Sequence, residues 1–224
     1  SFILKISKIF FKYNQNKYCF SLRNKCKRLL FNNYFKMKNK INPIKTSSES
    51  EENLINWNEI KTDQSSFTIE KADNLIFTAV PLKSEAPPYS PHRHATVPGD
   101  NVGFKIEDTG TGKNLFYAPG LGVIEDHVLE YMSNADCILV DGTVWTNDEM
   151  SRHGISDKLA SEMGHLDQSS KGGIMETLCK LKKPRKILIH INNTNPILDE
   201  DSSERKKLTE AGIEVSFDGM DIVI

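Results

Sequence analysis

Two short apolar runs, each followed directly by polar residues, decide the fold of this chain: CILVDGT at residues 137–143 and ILIHINNTNP at residues 187–196. A continuous apolar run of this length is typical of a strand buried on both faces of a sheet. In open α/β sheets, ligands bind in the crevice outside the strand ends. We therefore expect Asp141 and His190, which close the two runs, to reach such a crevice.

The elements predicted around these runs alternate between strands and helices. Apolar, β-branched segments and the DTGTG turn at 108–112 predict paired strands. Helical spacing of apolar residues predicts helices, one of them capped by Asp201 or Ser202 and stopped by Gly212. The predicted strands are 67–69, 75–80, 101–107, 115–118, 137–140, 187–191, 213–217 and 221–224, and the predicted helices are 124–132, 171–182 and 201–211. Strands followed by alternating strands and helices indicate an α/β fold with a mixed sheet.

The charge distribution divides the chain into two parts. Its 224 residues carry a net charge of −1, but residues 1–50 hold 12 Lys and Arg against a single acid, Glu49. Residues 51–224 hold the remaining 17 basic and 29 acidic residues. The polar stretch TSSESEE at 46–52 marks the boundary. We interpret residues 1–50 as a basic, low-complexity segment, disordered or non-native, with a nucleic-acid-binding arm and a transit peptide as alternatives.

Composition excludes several classes of partner and compartment. The acidic balance of the domain argues against a nucleic-acid-binding core, and no stretch approaches the ~20 apolar residues of a membrane span. Cys137 and Cys179 lie in apolar runs that predict buried thiols, and Cys19 and Cys26 have no metal-ligating partners nearby. These features favour a reducing, cytoplasmic compartment. Because the sequence begins at Ser1 rather than Met, we expect it to be a fragment or to have been cut.

Histidines, a carboxylate and amides crowd the ends of the predicted strands. His165 lies in a Gly-hinged loop and His92 in a Pro-rich loop. Zinc and iron(II) select imidazole and carboxylate ligands. Structural alternatives are open: a strand-end His can be a hydrogen-bonded core residue, Asp141 can cap a turn, and the NNTNP run at 192–196 can tie loop backbone groups. The residues alone predict an α/β domain with a metal or polar-ligand site at its strand ends.

Longer segments around these strand ends carry a more specific signal. They are AVPLKSEAPPYSPHR (79–93), PGDNVGFKIEDTGTGKNLFYAPGLG (98–122), ADCILVDGTVWTNDEM (135–150), MGHLDQSSKGG (163–173), RKILIHINNTNPILDEDSSER (185–205) and GIEVSFDGMDIVI (212–224). In these segments the chain resembles the C-terminal half of the coenzyme PQQ synthesis protein B (PqqB) family, a branch of the metallo-β-lactamase fold. The resemblance covers about two-thirds of the chain and none of residues 1–50.

The resemblance implies a metallo-β-lactamase-like αβ/βα sandwich of which residues 51–224 hold only the C-terminal half. It implies a role in the biosynthesis of pyrroloquinoline quinone (PQQ), by metal-dependent hydroxylation of a tyrosine in the peptide-derived precursor. The implied cofactor is iron(II) or zinc, and the implied partner is a small-molecule or short-peptide PQQ precursor in the bacterial cytoplasm, with a homodimer left open. The alternatives are binding or transport of PQQ or its precursor to the periplasm, and a metal-dependent hydrolase of the wider fold.

The resemblance also implies roles for individual residues. His190 matches the last metal-binding histidine of the fold and is expected to be a metal ligand. Asp141 and His165 are expected as catalytic groups in the same cleft, either as ligands or as groups that position the substrate. The residues expected in substrate binding are Asn192, Asn193, Asn195 and His92.

Two departures from the family pattern concern the N-terminal side. The His- and Asp-rich metal motif of the fold has no counterpart in residues 1–56, and the family's Cys-rich zinc site is not reproduced by Cys19 and Cys26. We therefore expect a truncated or mis-joined PqqB-like chain with an incomplete metal site. Whether this chain is an enzyme stays open on the sequence.

Overall fold

The computed structural model describes residues 60–69, 72, 74–86, 90 and 95–224, together with the backbone of three strands among the first fifty residues. These strands are β1 (Ile3–Lys5), β2 (Lys17–Asn24) and β3 (Lys27–Tyr34), and β2 pairs antiparallel with β3. Side chains in this region, including Cys19 and Cys26, lie outside the described part. The interpretation of residues 1–50 as a non-native segment therefore stays a prediction.

A seven-stranded mixed sheet forms the centre of the larger of two compact units. The strand order is β10-β9-β8-β7-β6-β5-β4. Strands β4 to β7 pair antiparallel and strands β7 to β10 pair parallel. The strands are β4 (Ser66–Thr68), β5 (Leu75–Pro81), β6 (Val102–Asp108), β7 (Asn114–Ala118), β8 (Cys137–Asp141), β9 (Arg185–Ile189) and β10 (Ile213–Val215), followed by β11 (Asp221–Val223). The predicted α/β fold with a mixed sheet is confirmed.

The β6–β7 hairpin shows why the antiparallel half forms where the sequence predicts it. The Asp108 carboxylate accepts hydrogen bonds from the Gly110 N–H at 2.9 Å and from the Thr111 hydroxyl at 3.0 Å. Gly112 has φ +68°, in the left-handed region that favours glycine. These local bonds close the turn and set the register in which Phe104 faces Tyr117.

Helices pack on the parallel half of the sheet. They are α1 (Asp126–Asn134), α2 (Glu149–Arg152), α3 (Ala160–Met163), α4 (Ile174–Lys180) and α5 (Ser203–Glu210), with a 3₁₀ turn at Pro196–Leu198. Met132 of α1, Leu178 of α4 and Leu208 of α5 share one buried apolar cluster with Ile138 of β8 and Leu188 of β9. Each such side chain contributes about 1.5–3 kcal/mol on burial. This cluster holds the strand ends, and hence the site, in place.

The structure corrects two expectations and adds two short helices. The Cys179 thiol is exposed rather than buried, because Cys179 lies on the solvent-facing side of α4, next to Leu178 on the buried side. Strand β9 ends at Ile189 rather than at 191, because His190 adopts a left-handed backbone with φ +55° that leaves the strand. Helices α2 and α3 lie in a stretch for which no element is predicted.

Within the described residues, none of the helices has both the length and the apolar character needed to cross a membrane.

Candidate functional site

Two adjacent parallel strands bring the candidate residues to one edge of the sheet. Strands β8 and β9 pair in register, with Asp141 opposite Ile189, so His190 follows directly beyond the last pair. His165 comes from the loop after α3, where Gly164 turns the chain with φ +90°. A loop bond from the Leu166 N–H to the Leu121 carbonyl, at 2.8 Å, fixes this loop against the sheet. Residues far apart in sequence thus meet at the strand ends.

Asp141 is a fully buried carboxylate whose two oxygens both accept hydrogen bonds. Its Oδ2 lies 2.6 Å from His165 Nδ1 and accepts from the Leu121 N–H at 3.0 Å. Its Oδ1 accepts from the Thr143 N–H at 3.0 Å and from the Thr143 hydroxyl at 2.5 Å. A carboxylate offers about four acceptor positions, and four polar atoms of the protein lie within hydrogen-bond distance of its oxygens. In this arrangement the Oδ2 atom of Asp141 orients the His165 ring.

The imidazoles of His165 and His190 stack, with ring centroids 5.4 Å apart and an interplanar angle of 26°. Burial lowers the pKa of His165, but the hydrogen bond to Asp141 and its negative charge outweigh burial, so the pKa of His165 is raised. Burial lowers the pKa of His190, and this effect together with the neighbouring His165 outweighs the negative charge of Asp141, which acts in the opposite direction. Protonation is therefore favoured at His165 and disfavoured at its neighbour.

The predicted asparagines lie in three different environments. Asn195 is buried: its side-chain N–H groups donate to the Gly142 carbonyl at 2.9 Å and to the Thr143 carbonyl at 3.3 Å, and its Oδ1 accepts from the Ile197 N–H at 3.1 Å. Asn192 donates to the Thr194 hydroxyl oxygen at 2.7 Å. Asn193 is exposed, with no side-chain bond to the rest of the described chain. The loop-holding alternative fits Asn195 and Asn192 better than substrate contact does.

Two residues with clear structural roles at the site escaped the sequence analysis. Thr143 contacts Asp141, His165 and the His190 carbonyl through one hydroxyl oxygen. Glu149 is buried, and its carboxylate accepts from the Trp145 N–H and from the Thr194 hydroxyl, each at 2.6 Å. Burial of a polar residue beside a strand end would mark such a structural role, but burial of a loop residue cannot be inferred from the sequence.

The site offers a metal ion only a few free donor atoms among the described residues. Within the described residues, the ring nitrogens of His190 and the Nε2 of His165 accept no protein hydrogen bond and are the imidazole donors at the site. No group of three His, Cys, Asp or Glu in the described ranges could hold a metal ion. Catalytic zinc and iron(II) sites use three protein ligands. The described residues alone therefore do not make a complete metal site, and His92 lies outside them.

The sequence of this chain is similar to a known domain family and to individual proteins within it. A family model described as a β-lactamase superfamily domain matches residues 36–191. This chain belongs to the β-lactamase superfamily. Within the superfamily it is 58% identical over 175 residues to the coenzyme PQQ synthesis protein B of Nitrosococcus oceani, a match that covers 76% of this chain and 57% of that protein. The Pseudomonas fluorescens protein of the same name is 55% identical over 170 residues, covering 76% and 56%.

A solved structure in the superfamily gives the same result. The Zn²⁺-bound PqqB from Methylobacterium extorquens superimposes with a TM-score of 0.68 at 30% sequence identity, covering 75% of this chain and 56% of that one. The predicted resemblance to PqqB and the predicted metallo-β-lactamase fold are confirmed. This β-lactamase superfamily chain spans a little over half the length of the curated relatives that it matches.

Proposed function

We propose that this chain takes part in PQQ biosynthesis and that its site binds the peptide-derived precursor or a product of it. The observation that carries the proposal is the stacked pair of His165 and His190 beside the ends of β8 and β9, with His165 bonded to the buried Asp141 carboxylate. The chain that holds this pair is 58% identical over 175 residues to a coenzyme PQQ synthesis protein. Because the chain spans only part of that relative, the relative's activity is carried over here as a proposal.

His190 and His165 are the two donors that we propose this chain offers to a divalent metal, zinc or iron(II). The M. extorquens protein was solved with zinc, which supports the proposal that this chain also binds a metal. In this proposal His190 is the metal ligand, His165 presents Nε2, and Asp141 keeps Nδ1 of His165 engaged. Two imidazoles fall short of three ligands, so the remaining donors must come from outside the described residues.

The reaction we propose is hydroxylation of the precursor tyrosine. A metal with open positions would supply the place where oxygen is activated. The contribution of this chain's own residues is to hold two ring nitrogens in a fixed orientation at the strand ends. A hydrolase would need a water-activating metal site, which is often dinuclear and then requires more ligands than a mononuclear site. With two imidazole donors, the hydrolase is the least favoured of the three alternatives.

A second candidate is binding or transport of PQQ or its precursor without chemistry. Ligand binding in the crevice needs polar groups of the kind found at the strand ends, but no complete coordination sphere. The two candidates differ in whether a metal is required, and this difference can be measured directly.

The test compares the wild type with His190→Ala and with the control His153→Ala, which removes an exposed imidazole outside the site. Each protein is loaded anaerobically with iron(II) or zinc, its metal content is determined by elemental analysis, and oxygen-dependent hydroxylation of a Glu-Tyr peptide is followed by mass spectrometry. We expect metal and hydroxylation in the wild type and the control, and their loss in His190→Ala.

The other outcomes separate the candidates. Peptide or PQQ binding that needs no metal, with no hydroxylation, would assign the binding role. Hydrolysis of ester substrates would favour the hydrolase. Neither metal retention nor binding of the peptide or of PQQ by the wild type would contradict the proposed function.

A further inference from the structure

Thr143 occupies the centre of the site although it is not a metal-ligand type of residue. It lies two residues beyond Asp141, is buried, and its hydroxyl oxygen contacts three groups. That oxygen lies 2.5 Å from Asp141 Oδ1, 3.1 Å from His165 Nδ1 and 3.0 Å from the His190 carbonyl oxygen. The Thr143 side chain therefore contacts the His165 ring, the carboxylate bonded to it, and the main chain of His190.

The contact with His190 bears on an unusual backbone. His190 has φ +55°, a left-handed conformation that is unfavourable for residues other than glycine and persists where the surrounding structure holds it. The Thr143 hydroxyl oxygen lies 3.0 Å from the His190 carbonyl oxygen, so its single proton is shared between this carbonyl and Asp141 Oδ1. The Thr143 carbonyl accepts from the Asn192 N–H at 3.0 Å. Side chain and main chain of the same residue thus hold the backbone at His190 and two residues beyond it.

The contact with Asp141 bears on the orientation of His165. The Thr143 N–H donates to Oδ1 at 3.0 Å, and the Thr143 hydroxyl oxygen lies 2.5 Å from the same atom, which restricts rotation of the carboxylate. The other oxygen, Oδ2, is thereby presented to Nδ1 of His165. Nδ1 is engaged in this contact, and Nε2 is the nitrogen left for a ligand.

We propose that Thr143 is the positioning residue of this site: its hydroxyl sets the placement of the His165 and His190 rings relative to each other. The pair is consequently preformed before any ligand binds, with ring centroids 5.4 Å apart. A divalent cation as the ligand rests on the proposed function, but the placement of the rings does not, and it can be measured in the metal-free chain.

The experiment compares Thr143→Ala with Thr143→Ser in the full chain, because this pair differs only in the hydroxyl. The matched control is Thr194→Ala, which removes a hydroxyl bonded to Glu149 in the same region without touching either histidine. With ¹⁵N-histidine labelling and no metal, long-range ¹H–¹⁵N spectra in slightly alkaline buffer report the tautomer and environment of each ring. Calorimetric titration with Zn²⁺ alone then measures affinity.

We expect Thr143→Ala to change the ring-nitrogen signals of both histidines and to weaken Zn²⁺ binding by about 10- to 100-fold, the usual effect of losing a residue that orients a ligand. Thr143→Ser and Thr194→Ala should retain the wild-type histidine signals and bind Zn²⁺ within about threefold of wild type. If Thr143→Ala fails to fold, Thr143→Val, which also lacks the hydroxyl, takes its place.

Two results would overturn the proposal. One is a folded variant without the hydroxyl whose histidine spectra match the wild type. The other is an equal change in Thr143→Ser or in Thr194→Ala, which would mean a general structural effect. If the wild type binds no Zn²⁺, the metal part of the proposed function fails, while the histidine spectra still decide the role of Thr143.

Discussion

Replacement of Asn195 by alanine separates a structural role of the asparagine loop from a role in substrate binding. The change removes two donated hydrogen bonds and one accepted hydrogen bond in a side chain only 2% exposed. The Gly142 carbonyl keeps its bond from the Gln168 side chain, and the Thr143 carbonyl keeps its bond from the Asn192 N–H. Only the buried Ile197 N–H loses its hydrogen-bond partner.

The expected loss follows from these contacts. Net hydrogen bonds contribute about 0.5–1.5 kcal/mol each, and a buried donor left without a partner costs about 1–3 kcal/mol. Since two acceptors keep other partners, we expect Asn195→Ala to lower the free energy of unfolding by about 2–4 kcal/mol. For a chain of this length the melting temperature should fall by about 5–15 °C.

Urea denaturation followed by tryptophan fluorescence measures this loss, with Asn193→Ala as the matched control. Asn193 is exposed, so its replacement should change the free energy of unfolding by less than about 0.5 kcal/mol. A change below about 1 kcal/mol in Asn195→Ala, or equal changes in the two variants, would refute the assignment of Asn195 to the structure of the loop.

Three further expectations concern the site and its supporting strands. Burial lowers the pKa of His165, but the contact with Asp141 raises it by more, so the pKa in the folded chain lies above the ordinary value of about 6.5. Protonated His165 therefore stabilises the fold below about pH 6.5, and this stabilisation is lost as the pH rises through the folded-state pKa. Urea denaturation should therefore show the free energy of unfolding falling with pH more steeply in wild type than in His165→Gln, and equal slopes would contradict the contact with Asp141. Gly142→Ala should lower the free energy of unfolding by about 1–3 kcal/mol in the same assay, because a Cβ there would lie 2.9 Å from a β9 side chain; a neutral change would mean that the strands separate easily. In the native chain, brief iodoacetamide labelling with peptide mass mapping should modify exposed Cys179 and spare Cys137, whose pKa burial raises to about 12; labelling of both at similar rates would show that the centre of the sheet opens.

The sheet could be predicted from sequence because its signals are local. The apolar run of β8 is buried at all five positions, and α5 begins after Ser202, whose hydroxyl accepts from the Arg205 N–H as a cap does. Helices α2 and α3 could not be predicted, since four residues are too short for a periodic pattern. Exposure of Cys179 was missed because its position on the helix surface depends on how α4 packs.

The site was only partly predictable for a different reason. Asp141, His165 and His190 could be chosen by residue type and by position at strand ends. The 2.6 Å contact between Asp141 and His165 joins residues 24 positions apart, and no local pattern specifies it. Thr143 was missed because a hydroxyl in a loop carries no periodic signal, and its importance arises from three contacts that exist only in the folded chain.

The left-handed backbone of His190 has a consequence for how this sequence tolerates change. Asn and Gly adopt φ near +55° more readily than His does, so the imidazole is retained there at a local expense on the order of 1 kcal/mol. A library randomised at this position and sorted only for thermal stability should therefore become enriched in asparagine and glycine. Histidine would persist only in a library sorted for the proposed metal binding by the imidazole ring.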